Sequence, residues 1–439
     1  MLPGQFATWG IKAPWPWRRA SRGLSTGRKG FTAVAKKIVI IGTGYVGLPL
    51  AIVLARAGYQ VVGVDIEENV VNAINQGVLR LAEEEVKQIF REPRVRENLH
   101  AQKTPCPADV FIISVPTPLD EKKRIADLSQ VIGGVESILP FLRSGNLVIL
   151  ESTVPPLTCR QIVAPLIEKT GLKVGESIFL CHCPERILPG EVFEELVNND
   201  RVIGGLNAQA AQMAREIYAS FVKGNLYLTD DVTAELVKLM ENTYRDVNIA
   251  LANEFAAVAE GLRVDILQAI ELANKHPRVN ILKPGIGTGG HCIPVDPWFI
   301  KEVNPINSRL IHTARLINDE VPYKIAARIR QTLKEIKNPR IVAVGVTYKP
   351  DTYDIRNSPA LKIVSLLRED GYQVAAYDPL AQGYQYTSLG EVAKGADCLV
   401  ILVEHQVVKQ ELAGKEIDIK KVMRHPLIMR FYPQPEVTT

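Results

Sequence analysis

The chain has 439 residues, 46% of them hydrophobic and 23% charged. That is enough apolar material for a large core, and the length corresponds to about three domains. The formal net charge of +4 hints at a nucleic-acid or membrane surface, but residues 1–37 carry eight Lys or Arg and no acid, so the remainder is mildly acidic. The folded part therefore lacks the basic footprint of a nucleic-acid binder.

The basic stretch comes first. Residues 1–36 hold Trp9, Trp15 and Trp17 among prolines and show no apolar periodicity. A disordered tail is expected there, and its removal is expected to leave activity intact. Residues 38–55 follow without a charge, and a basic stretch before such a run has the look of a signal peptide or membrane anchor. A strand, a glycine turn and a buried helix explain the run better, so no membrane association is expected. Gly42, Gly44 and Gly47 fall at G-x-G-x-x-G spacing, and Arg56 and Gly58 end the helix.

In that turn Gly42 permits the bend, Gly44 lets backbone approach a pyrophosphate, and Gly47 lets the helix pack on the strand. The phosphate then sits at the helix N-terminus, where unpaired N–H groups and the dipole favour anions. A second apolar run, Gln60–Val64, stops at Asp65. A carboxylate there accepts from a ribose 2′-OH and repels a 2′-phosphate, which predicts NAD rather than NADP.

Three more apolar runs keep the rhythm. Residues 110–115 end at Thr117, residues 147–150 at Glu151, Ser152 and Thr153, and residues 178–181 at Glu185. Ligands of an open parallel sheet bind beyond the carboxyl ends of its strands, so Thr117, Ser152, Thr153 and Glu185 should converge near a nicotinamide. The six cysteines, Cys106, Cys159, Cys181, Cys183, Cys292 and Cys398, are scattered, which fits a reducing, cytoplasmic compartment. Cys181-His182-Cys183 invites a metal reading, but no second ligand pair lies at zinc-site spacing; a strand end and no metal are expected.

Residues 231–274 read as helical, with Glu235, Lys238, Asn242 and Arg245 on one face. A glycine loop follows, with Gly285, Gly287, Gly289 and Gly290 leading into His291 and Cys292. It does not open a helix after a strand. Its glycines are expected to let backbone wrap a ligand. Cys292 on that loop, four residues before Asp296, is the candidate nucleophile. After Arg340 a second βα pattern runs through residues 341–346, 360–369, 373–376 and 398–403 without the glycine fingerprint. Lys349 and Arg356, on the loop after its first strand, are candidate phosphate contacts.

Residues 37–405 together resemble the UDP-sugar 6-dehydrogenases of the UDP-glucose/GDP-mannose dehydrogenase family. The segments carrying the resemblance are Gly42–Gly47, Val115-Pro-Thr117-Pro, Glu151-Ser-Thr-Val-Pro, Pro184-Glu185-Arg, the Glu235/Lys238/Asn242 helix, Gly289-Gly-His-Cys292-x-x-x-Asp296 and Lys349-x-Asp-x-x-Asp-x-Arg356. Cys183 to Gly190, Asn199 to Gly205, His276 to Leu282 and Val295 to Ile300 look like the branch acting on UDP-N-acetyl-D-mannosamine.

The resemblance implies an α/β fold, with two Rossmann-like doubly wound domains joined by a long central helix. It implies an NAD-binding domain over 37–206, a helical dimerisation domain with the catalytic loop over 207–318, and a UDP-sugar-binding domain over 319–439. It also implies a four-electron oxidation of a carbon-six alcohol through a thiohemiacetal and thioester on Cys292, feeding cell-surface polysaccharide synthesis. Lys238 is implied to stabilise the oxyanion, Asn242 and Asp296 to position water and move protons, and Thr117 and Glu185 to orient the hydrolytic water. Tyr45, Val46, Thr153 and Arg356 are implied at the cofactor, and Arg186, Arg245, Arg278, Lys283, Gly287 and Lys349 at the substrate. A homodimer built around the central helix is implied as well.

Two features depart from the family. Pro189 stands where many UDP-glucose enzymes carry a glutamate, which favours a UDP-N-acetylhexosamine; UDP-N-acetyl-D-glucosamine and UDP-glucose are the rival substrates. Residues 427–439 lack the usual ending, which leaves the last strand without its sequence support. Two other classes compete. A one-step hydroxyacid dehydrogenase would not need Cys292, and a catalytically silent scaffold is favoured only by the unusual termini.

Overall fold

The computed structural model describes residues 36–79, 84–187 and 191–431. The expected tail up to residue 35, Pro189 and residues 432–439 lie outside the described residues.

Ten strands form in the first half: β1 Lys37–Ile41, β2 Gln60–Val64, β3 Leu99–Gln102, β4 Val110–Ile113, β5 Leu119–Asp120, β6 Ile125–Ala126, β7 Leu147–Leu150, β8 Phe179–His182, β9 Arg201–Gly205 and β10 Leu226–Asp230. Eight of them make one sheet in the order β10-β9-β8-β7-β4-β1-β2-β3, while β5 and β6 form a separate hairpin. The inner strands are apolar at every position and buried on both faces, as parallel strands covered by helices must be. Cys181 and His182 end β8, the strand end expected there. The sheet continues past residue 206: β9 pairs antiparallel with β8, and β10 then pairs parallel with β9.

The helix Gly47–Ala57 leaves β1 through the glycine turn and stops at Gly58, whose left-handed φ of 105° returns its N–H to the Leu54 and Ala55 carbonyls. A Cβ on Gly47 would run into the Gly42 carbonyl, so helix and turn touch only because glycine stands there.

The central helix is Asp231–Leu262, begun by the Asp230 carboxylate accepting from Thr233 N. The helical stretch expected to reach residue 274 breaks at Arg263, which adopts φ 58°; Asp265 then caps a separate helix, Ile266–Ala273, by accepting from Leu267 and Gln268 N–H. Apolar periodicity runs through both helices, and only the Asp265 cap marks the break.

The second half carries β11 Arg340–Val344, β12 Gln373–Tyr377, β13 Cys398–Ile401 and β14 Leu427–Arg430, all parallel, in the order β12-β11-β13-β14. The last strand thus forms despite its unusual sequence. Backbone pairing with β13, the buried Phe431 and an Arg430–Glu416 ion pair of 3.1 Å hold it. Among the described residues no helix is long and apolar enough to cross a membrane.

Gly47→Ala is expected to push the first helix off its turn. Overpacking of this kind costs about 1–3 kcal/mol, read as a lower midpoint of urea unfolding together with weaker NAD binding.

Candidate active site

Gly42 bends at φ 89°, and its N–H donates to the Val64 carbonyl at 2.8 Å, which seats the turn across β1 and β2. Gly44 is exposed, and a Cβ there would meet nothing within 4 Å, so the outer face of the turn is open. The following helix has no acid in its first turn and no side chain bonded at its N-cap, which leaves its N–H groups to an anion. Asp65 stands at the mouth: Oδ2 accepts from Thr43 N at 3.0 Å and Thr43 Oγ1 at 2.9 Å, and Oδ1 from Glu67 N at 3.1 Å. Tyr45 and Val46 are half-buried on the turn. These residues fit a dinucleotide.

At the next strand ends the structure separates framework from candidate contacts. Ser152 Oγ donates to the Val115 carbonyl at 2.7 Å and accepts from Val115 N at 3.0 Å, stitching β4 to β7 rather than facing a ligand. Thr117 Oγ1 is buried without a partner, and Thr153 is half-buried at the same edge. Glu185 is 8% exposed, with Oε2 on Arg201 at 2.6 Å and Oε1 accepting from Arg186 N at 2.7 Å.

The second cluster gathers Lys238, Asn242, Cys292 and Asp296. The Cys292 carbonyl accepts from Val295 N at 3.0 Å and Asp296 N at 2.9 Å, a tight turn opening the helix Asp296–Val303. Asn242 Nδ2 donates to Asp296 Oδ2 at 2.6 Å. Burial pushes the Asp296 carboxyl up to about 6, opposed by Lys238 and the Asn242 bond. Burial and the Asp296 charge push the Cys292 thiol up to about 11, opposed by Lys238, Arg356 and Arg245. Lys238 also acts on the buried His182 at the end of β8, which ties this cluster to the strand ends of the first sheet. Of the four residues expected on one helix face, Lys238 and Arg245 bear on the Cys292 thiol and Asn242 on Asp296. Glu235 is turned away and accepts from Leu157 N at 2.6 Å and Cys159 N at 2.8 Å.

The glycine loop departs from expectation. A Cβ on Gly289 would strike the Asn357 carbonyl, Pro359 and Tyr348, and one on Gly287 would crowd the Asn318 carbonyl and Pro322. These glycines make room for protein, not for a ligand. Asn253 Oδ1 accepts from Gly285 N at 2.8 Å, and Thr288 Oγ1 accepts from Arg315 at 2.6 Å, which pins the loop to the central helix and to the helix Arg309–Leu333.

The remaining candidates are more scattered. Arg356 is bonded through Nε and Nη2 to Asp354 on its own loop, and Lys349 lies near enough to Arg245 for that charge, after burial, to lower its pKa. Arg186 is engaged with Glu241 and the Asp200 carbonyl, while Arg278 and Lys283 stand exposed ahead of the glycine loop. Sequence reasoning assigned no role to Arg201, Asp246, Arg315 or Tyr348. Arg201 lies in the Asn199 to Gly205 segment that carries the resemblance. Asp246, Arg315 and Tyr348 owe their place at the site to contacts far away in sequence, and the nearby Asp319 makes Arg315 look like an ordinary helix-surface ion pair.

A dinucleotide turn joined to a cysteine cluster and a second parallel sheet defines a dinucleotide-dependent dehydrogenase. Models of the UDP-glucose/GDP-mannose dehydrogenase family match three consecutive regions: its NAD binding domain at residues 36–222, its central domain at 232–320 and its UDP binding domain at 342–432. The chain belongs to that family. It is 49% identical over 393 residues to the UDP-N-acetyl-D-mannosamine dehydrogenase of Methanocaldococcus jannaschii, covering 89% of this chain and 90% of that one. It is 47% identical over 411 residues to the enzyme of that name from Methanococcus maripaludis, covering 89% and 94%. The structure of UDP-D-ManNAc dehydrogenase from Pyrococcus horikoshii superposes with a TM-score of 0.85 at 42% identity, covering 92% and 97%.

Asp296→Asn removes the charge that helps raise the Cys292 thiol. Alkylation of Cys292 by iodoacetamide followed against pH should then show an apparent pKa below that of the wild type measured in parallel. An unchanged or higher value would mean the carboxylate does not act on the thiol.

Proposed function

We propose that this chain oxidises the carbon-six alcohol of UDP-N-acetyl-D-mannosamine to the carboxylate in two steps, with NAD as the oxidant. The observation that carries this reading is the meeting of Cys292 with Lys238, Asn242 and Asp296. When bound, NAD supplies the hydride acceptor. The Gly42–Gly47 turn with Tyr45 and Val46 would hold its pyrophosphate, Thr153 and Arg356 would supply further contacts, and Asp65 would take the ribose hydroxyls and repel a 2′-phosphate.

The first oxidation yields an aldehyde. Cys292 Sγ adds to its carbon and forms a thiohemiacetal, with the thiol proton passing to Asp296, a carboxylate that is mostly ionised at neutral pH. The Lys238 ammonium faces the oxygen on which negative charge develops, and Asn242 fixes the Asp296 carboxyl that handles the proton. Loss of a second hydride leaves a thioester. Water aligned by Glu185 and Thr117 attacks it, releasing the acid and restoring the thiol. We assign the nucleotide diphosphate and sugar to Lys349, Arg245, Lys283 and Arg278, with Arg186 beside them. The family's UDP binding domain over residues 342–432 and the names of the relatives support that substrate. The acidic sugar nucleotide so formed suits cell-surface polysaccharide synthesis.

We further propose a homodimer around the central helix. Met240, Tyr244, Leu251, Phe255, Val258 and Leu262 are exposed along that one helix at steps of three, four and seven residues, an apolar stripe that a second copy would cover.

Two experiments test these readings. Two NADH per uronate formed is the expected stoichiometry across a UDP-sugar panel, with UDP-N-acetyl-D-mannosamine turned over best, and Cys292→Ser should form no acid. One NADH per turnover, or acid from that variant, would sink the covalent route. For the dimer, Val258→Glu should sediment as a monomer while the parent sediments as a dimer; a monomeric parent would refute the assembly.

A further inference from the structure

Behind Glu185 lies a charge cluster that the proposed chemistry does not use. Arg201 is 3% exposed and sits between two carboxylates, with Nη2 on Glu185 Oε2 at 2.6 Å and Nη1 on Glu151 Oε1 at 3.3 Å. Its guanidinium lies 4.8 Å from the Tyr218 ring centre, and Tyr218 donates its hydroxyl to Glu151 Oε1 at 3.3 Å. Glu151 Oε2 is buried without a partner. The arrangement depends on topology. Because β9 runs against β8, its first residue, Arg201, arrives at the carboxyl ends of β7 and β8, where Glu151 and Glu185 stand.

Stability alone gives no reason for this triad. Buried ion pairs gain little over apolar packing, and a second carboxyl beside one guanidinium must either carry an unbalanced negative charge away from water or hold a proton. The groups facing the pair are Arg201 from β9, Tyr218 from the helix Ala208–Tyr218, and Cys183 and Arg186 from the segment after β8. Burial and then the neighbouring Glu185 charge raise the pKa of Glu151, against the pull of Arg201, so Glu151 keeps its proton to a higher pH than a free carboxyl does.

We propose that Arg201 and Glu151 are positioning residues that act on the reaction through Glu185, Arg201 holding its carboxylate in one orientation and Glu151 setting the charge beside it. In the neutral form of Glu151 the guanidinium is committed to Glu185. When Glu151 ionises, Arg201 is divided between two anions and its hold on Glu185 weakens. The inference rests on Glu185 acting in thioester hydrolysis.

Three variants of the full chain test it, each checked for an unchanged melting profile. Glu151→Gln keeps the shape and cannot ionise, so the alkaline decline of kcat should move up by about one pH unit or more relative to wild type. Arg201→Lys keeps the charge and loses the fork; kcat should fall about tenfold or more, while KM for the UDP-sugar changes by less than about threefold. Glu185→Gln is the control for the underlying reading and should accumulate the acyl-enzyme. If Glu185→Gln turns over normally, that reading and this inference fall together. If it stalls while Glu151→Gln keeps the wild-type pH profile, or Arg201→Lys keeps the wild-type kcat, the positioning roles alone are overturned.

Discussion

Arg315 and Asp246 form an ion pair that water does not reach, with side chains 1% and 0% exposed. Arg315 also donates to Thr288 on the glycine loop, and Asn318 Nδ2 donates to both the carbonyl and the carboxylate of Asp246. Three parts meet here: the central helix, the helix Arg309–Leu333 that leads to the second sheet, and the loop that carries Cys292. Leaving either charge unpaired in such a place would cost several kcal/mol, so the three parts are held in one arrangement or none. The placement of Cys292 against Lys238 and Asn242 follows from that constraint.

The two sheets use one device at the carboxyl ends of their parallel strands. Gly42 donates to the Val64 carbonyl in the first, and Gly345 donates to the Tyr377 carbonyl in the second, both at 2.8 Å. Asp65 and Asp378 then close the turn by accepting backbone N–H groups, Thr43 in one half and Val346 in the other. The halves differ in what fills the mouth. In the first, Gly44 leaves it open. In the second, His405 occupies it, its Nδ1 accepting from Asp351 N at 2.8 Å, which leaves Nε2 to donate to Asp378 at 2.9 Å. One architecture therefore yields a dinucleotide cradle once, and on the other side a rigid base for the loop bearing Lys349 and Arg356.

The electrostatics around Cys292 are balanced rather than uniformly activating. Burial and Asp296 disfavour the thiolate, while Lys238, Arg356 and Arg245 favour it. A thiol held mostly protonated at rest is protected from stray oxidation, and an adjacent carboxylate can take the proton when an electrophile arrives.

What the sequence determined was whatever depends on neighbours a few residues apart. The Gly42–Gly47 spacing, the strand runs ending at Asp65, Glu151 and Glu185, the helical face of Lys238, Asn242 and Arg245, and the isolation of Cys292 on a polar loop were all legible. Each is a local pattern of period, turn or cap. The tertiary structure decided what depends on distant partners. It turned Ser152 and Glu235 into framework, filled the space beside Gly287 and Gly289 with other parts of the chain, ended the central helix at Arg263, and built β14 from a segment whose own residues gave little sign of it. Buried charges such as Arg201 and Arg315 belong to that second group. In sequence they look like any surface arginine, and only the fold shows that the carboxylates neutralising them, Glu185 and Asp246, lie 16 and 69 positions away.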